Sequence, residues 1–329
     1  MSDRKNTLPT SNLVLLITSI VCVIATLVVF VFFNKHQTSN SNALSPDATN
    51  SSNATNTAEP SPTDDGSNEP DVVLDVIIPE ETTVTTRFNP PAGFKGIEAP
   101  ANSFGAYLQN FPLRDYNAKP LRYNSSSDSL EEDSSSSVAS VLDIDMIHKR
   151  NLQIAPNSLI LLYSKYLYTS QLYNDISFKL STTPVFECDY TTWTTGGRLN
   201  VQGNQITWCK EHTDTCGHKD VELGTNDSTF KWYMQNVMLY TSMASFKSNL
   251  YKVQKNDANI GDVIFFADSN VPSIIVDMAT DSSGNKIYIA ACGGTPACDI
   301  HILKNEKNAD MSPWHNLSDL PLTAEIYRF

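Results

Sequence analysis

Residues 13–33 constrain this chain most, because every side chain there is apolar except Thr18, Ser19, Cys22 and Thr26. At about 1.5 Å per residue such a run spans roughly 31 Å, close to a hydrocarbon core of about 30 Å. The expectation is one transmembrane helix over 13–33. Phe30, Phe32 and Phe33 stand where small residues would precede a signal-peptidase cut, so the segment reads as a retained signal anchor. Val21 before Cys22, inside a run that continues, argues against a lipoprotein signal. Arg4 and Lys5 precede the run and Lys35 follows it, which places residues 1–12 as a cytosolic tail and the rest of the chain outside the cytosol.

Residues 34–86 are rich in Ser, Thr and Asn and carry too little apolar surface to offset chain entropy. They read as a disordered stem, in which the apolar patch 72–78 is the piece able to add an edge strand to the globular region. Asn50, Asn53, Asn124, Asn226 and Asn316 each open an Asn-x-Ser/Thr sequon, a glycan acceptor if the chain passes through a eukaryotic secretory pathway. The formal net charge is -13, with 36 acidic against 23 basic residues, which disfavours nucleic acid as a partner.

Residues 87–329 have ordinary globular composition and are long enough to bury a core without a metal or disulfide framework. Ser103 is placed to cap a helix that Pro112 ends, and Pro156 to open a second whose apolar positions run through Leu159, Leu162, Tyr166 and Tyr173. A third helix is expected after Ser228 or Thr229, with Tyr233, Val237, Tyr240 and Ala244 on one face. Short β-rich runs come next, at 262–266, 273–278 and 286–290. The last two are joined by Ser282, Ser283, Gly284 and Asn285, a hairpin signal. Helices first and an antiparallel sheet later make the domain α+β.

Cys188, Cys209, Cys216, Cys292 and Cys298 lie beyond the apolar run. In an oxidising compartment the close pairs Cys209/Cys216 and Cys292/Cys298 are expected to bridge, leaving Cys188 single. The other reading of the first pair is a metal site, since His212 and His218 lie among those cysteines, but the spacing matches no common zinc module. No metal and no cofactor are assigned.

Several segments together resemble a bacterial family, domain of unknown function 4846, typical of secreted lipoproteins. They are PAGFKGIEAPANSFGAYLQNFPL at 91–113, SVLDIDM at 140–146, RNLQ at 150–153 and YLYTSQLYNDISFKL at 166–180. GDVIFF at 261–266, IIVDMA at 274–279, DIHILKN at 299–305 and SPWHN at 312–316 complete the series. The resemblance implies a papain-fold sheet of NlpC-like hydrolases, in which a cysteine opening a helix and a histidine opening a strand form the catalytic pair. This chain departs from that pattern at each position. Ala155 stands where the cysteine is expected, Val271 where the histidine is, and Cys292 where a glutamine is common. The implied site is degenerate, and the first reading is a non-catalytic domain that binds a peptide or glycan.

Two enzyme readings compete with it. One is a cysteine hydrolase (a peptidase or amidase) using Cys292 or Cys188. The other is a metal-dependent glycosyltransferase, because VASVLDIDM ends a strand in Asp143-x-Asp145, and alternate residues share one strand face, as chelation needs. Against it, too little chain precedes the motif for a nucleotide-binding half. Histidines 148, 301 and 315 stand alone and read as structural or surface groups. Trp193, with Trp208, Trp232 and Trp314, is a candidate sugar-stacking platform or simply core.

Overall fold

The computed structural model describes residues 75–147, 150–209 and 221–329. Expectations at 13–33, at most of the stem, and at Asn50, Asn53, His148, His212, Cys216 and His218 lie outside these residues. Among the described residues no helix is long and apolar enough to cross a membrane. The longest there, Ala155–Thr169, has 15 residues, about 22 Å against the roughly 30 Å required. The described residues thus supply no membrane anchor; the expected single-pass span at 13–33, and the cytosolic tail, membrane partner and extracytoplasmic placement that depend on it, rest on residues outside them.

The first described elements form ahead of residue 87. Ile77 bridges Phe88 around helix α1 (Val84–Arg87), and Val84, Arg87 and Phe88 are buried. Strand β1 (Phe94–Gly96) precedes α2 (Phe104–Gln109), where Ser103 Oγ accepts from the Ala106 N–H as a cap. Strands β2 (Leu121–Asn124), β3 (Ser129–Glu132) and β4 (Val138–Val141) lead to α3 (Ala155–Thr169). That helix was expected to reach Tyr173. Gln171 instead takes a φ of 59°, a left-handed conformation that ends the helix, and Tyr173 falls in a 3-10 turn.

A hairpin of β5 (Ser177–Lys179) and β6 (Glu187–Asp189) is succeeded by the short α4 (Tyr190–Thr194) and by a hairpin of β7 (Arg198–Gln202) and β8 (Gln205–Cys209). Helix α5 (Asp227–Leu239) is capped by Asn226, whose Oδ1 accepts from the Thr229 N–H at 2.8 Å. Ala244 belongs to a separate helix, α6 (Met243–Ser248), which has its own cap in Ser242.

The expected strands form as β10 (Val263–Phe265), β11 (Ser273–Asp281) and β12 (Lys286–Cys292), after β9 (Tyr251–Val253). Gly284, at φ 84°, turns the hairpin between β11 and β12. Strands β13 (His301–Leu303), β14 (His315–Asn316) and β15 (Glu325–Arg328) complete one sheet of order β4-β13-β12-β11-β10-β15-β9, with β1 on β11 and β14 on β12. Its pairings are antiparallel, and the α+β class stands. β11 and β12 are buried along most of their length, so the centre of the sheet is covered on both faces.

A bulge in β11 lies between Ile275 and Asp277. There the buried Asp277 carboxyl accepts from Gln109 Nε2 at 2.7 Å, the Met278 N–H at 2.9 Å and Thr85 Oγ1 at 3.2 Å. All three donors are neutral, and the bonds from Thr85 and Gln109 tie the sheet to α1 and α2.

Candidate functional site

The three positions that the papain-like pattern singles out lie near one end of the sheet. Helix α3 starts at Ala155, preceded by Ile154, which offers no side-chain cap and bridges Gly294 in the segment after β12. A Cβ added to Gly293 would lie 2.2 Å from Ser158 Oγ and 3.6 Å from Ala155 Cα, so helix start and strand end touch through backbone. Only glycine fits there. Ile274 pairs with Ala291, which sets Ser273 beside Cys292 and leaves Val271 two residues further out at the same end.

Proximity does not produce a catalytic cleft. Ala155 and Ser158 are fully buried, so the position where a nucleophile is expected is a methyl group sealed from solvent. Successive strand residues alternate between faces, and Gly293 faces α3, so Cys292 is directed away from it. Its Sγ lies 3.7 Å from His301 Nε2, where the pairing of β12 with β13 places the two residues opposite each other.

His301 Nδ1 donates to the Asp299 carbonyl at 2.8 Å, which leaves Nε2 as the acceptor for the Cys292 thiol. Cys298 Sγ sits 3.9 Å from Nδ1, on the other side of the ring. Burial pushes both thiols up to about 12 and pulls the imidazole down. A thiol this protonated, beside a base this weak, is not an activated nucleophile.

Cys292 and Cys298 are free, so the expected bridge between them is corrected. Cys209 is disulfide-bonded; its expected partner Cys216 is outside the described residues. Cys188 is fully buried in β6 and its thiol is pushed well up by burial, which removes it as a nucleophile. With both cysteines inert, the hydrolase reading is corrected. Among the described residues no cluster of His, Cys, Asp and Glu is arranged to hold a metal ion. The two sulfurs around His301 oppose different ring nitrogens, an arrangement that one ion cannot bridge.

Asp143 and Asp145 are exposed, and each lies 3.7 Å from the guanidinium of Arg114, which also holds Asp299 at 2.7 Å. They converge on a cation of the protein itself and, among the described residues, belong to no group arranged to hold a metal ion, so the glycosyltransferase reading is corrected as well. Trp193 is buried, edge-on to Trp232 and Tyr233, with the Arg198 guanidinium 4.2 Å from its ring centre. No face is left for a sugar. Trp314 is buried too and donates to the Asn89 carbonyl. Of the described sequon asparagines, Asn124 donates to Glu131 and Asn316 to Asp319, while Asn226 serves as the α5 cap.

A separate opening lies against the sheet. A cavity of about 420 Å3 is floored by Ser273, Ala290 and Leu303 and walled by Tyr288, His315 and the loop after β13. Residues 84–329 match the family described as Domain of unknown function (4846). The chain belongs to that family. The Domain of unknown function (4846) match spans the whole sheet and α3, and so includes the Ala155, Cys292 and His301 positions and the cavity. No curated protein and no solved structure shows significant similarity to the chain.

Sequence reasoning missed the Cys292–His301 contact and Asp277. The first had a signal: strands 286–292 and 301–303 flank a short connection, and antiparallel pairing across it sets 292 against 301. The second had none, because its partners come from residues 85 and 109.

Proposed function

We propose that this domain is a non-catalytic binding module built on a papain-like, NlpC-like arrangement whose nucleophile and base positions have been vacated. The supporting geometry is a helix start abutting the end of an antiparallel strand, as that arrangement requires. The observation that carries the reading is Ala155: a fully buried methyl group at the helix start, packed against Gly293, where attack on an amide carbonyl needs an exposed thiolate. The nearest thiol-imidazole contact is buried and directed to the other face of the sheet.

Thiol chemistry tests this directly. In the folded protein Cys188, Cys292 and Cys298 are expected to resist iodoacetamide at neutral pH and to label only in denaturant, with no turnover of peptide or muropeptide amides. Amide hydrolysis that is lost on labelling Cys292 would sink the proposal.

A further inference from the structure

The cavity of about 420 Å3 falls within the range of small-molecule sites, roughly 300 to 1,000 Å3. Its floor is recessed because Ser273 and Ala290, both nearly fully buried, place small side chains on the central strands, while Leu303 closes one side. Along one wall the Tyr288 and His315 rings are stacked, with centroids 5.5 Å apart and planes at 27°. Burial, and further the neighbouring Lys307 ammonium, lower the His315 pKa, so this wall is a flat, neutral surface.

Elsewhere among the described residues, Lys119, Lys165, Lys231, Lys247 and Lys252 are in ion pairs, Lys179, Lys255 and Lys286 donate to backbone carbonyls, and Lys95 does neither. Lys304 and Lys307, both exposed at the mouth, enter no ion pair among the described residues, in a chain of net charge -13. Glu306 stands between them in sequence, and across the opening Asp319 accepts from Asn316 at 3.0 Å. The mouth therefore offers two uncommitted ammonium groups on one side of an apolar, flat-walled cup.

We propose that this cup binds a small amphiphilic anion, its flat apolar body lying over Ala290 against Tyr288 and its carboxylate or sulfonate held by Lys304 and Lys307. The proposal rests on the reading of the domain as a binding module and gives that module a site and a ligand class.

The probe is 1-anilinonaphthalene-8-sulfonate, titrated by fluorescence into the full-length chain at neutral pH, beside N-phenyl-1-naphthylamine, which has the same body without the sulfonate. Saturable one-to-one binding of the sulfonate is expected. Lys304→Gln with Lys307→Gln should weaken it about tenfold, the scale of two exposed charge contacts, and leave the neutral probe unchanged. Glu306→Gln should tighten it. Ala290→Leu, with folding verified by near-ultraviolet circular dichroism, should exclude both probes; the surface lysine variants decide the matter should Ala290→Leu not fold. Absence of saturable binding, or binding indifferent to the lysine pair, overturns the site. Neither probe contains a hydrolysable amide, so these outcomes are separate from amide turnover, which would overturn the non-catalytic reading alone.

Discussion

At the scale of single residues, Asp277 and Gly293 hold positions that other side chains would disturb. Burial raises the Asp277 carboxyl to about 6, against hydrogen bonds from Gln109, Met278 and Thr85 that lower it. An unfolded chain releases that proton near pH 4, whereas the folded chain keeps it to about pH 6. Between those values the unfolded state binds fewer protons, so stability falls as pH rises, by up to about 3 kcal/mol, and is level above. Asp277→Asn should flatten this part of the pH dependence, read as the difference in urea midpoint between the two proteins from pH 4 to 6.5. Gly293→Ala places a Cβ 2.7 Å from Ser158 Cβ, which cannot rotate away. A loss of about 2 to 3 kcal/mol is expected in the same denaturation experiment, partly restored by Ser158→Gly.

At the scale of elements, helix starts depend on caps. Removing the Asn226 Oδ1 acceptor with Asn226→Ala should cost about 1 kcal/mol in urea unfolding, because the Thr229 N–H loses its partner. This class of feature was only partly legible in the sequence. Ser103 was readable as a cap because a short apolar run and Pro112 bracket it, and the β11–β12 hairpin because Gly284 comes after two serines. Asn226 was not, since Ser228 and Thr229 offer the same chemistry two and three residues later. The premature end of α3 at Thr169 lies in the backbone of Gln171, a residue without a strong left-handed preference. For the candidate site, the missing nucleophile was legible at Ala155 as a residue type. That Cys292 faces away from it was not, because facing depends on register, which a sequence of uniformly buried strands leaves open.

For the whole molecule, the sheet draws on both ends of the described chain. β1 pairs with β11 from the N-terminal side, and β15 lies between β10 and β9, with Ile326 opposite both Ile264 and Val253. Lys247 and Lys252 both pair with Glu325, and Phe329 stacks on Tyr163 of α3 with ring centres 4.1 Å apart. A chain truncated before residue 325 should lose β9 from the sheet and part of the aromatic packing on α3. Loss of a single cooperative thermal transition by calorimetry is the expected result; an unchanged transition would show that β15 is dispensable.

The insertion of β15 also sets an order of events in the cell. While the chain is still attached to the ribosome, the gap between β10 and β9 stays open until residues 325–328 have left the exit tunnel. Until then β10 presents the bare edge of an apolar strand, and the emerging protein depends at that moment on whatever shields such edges from its neighbours.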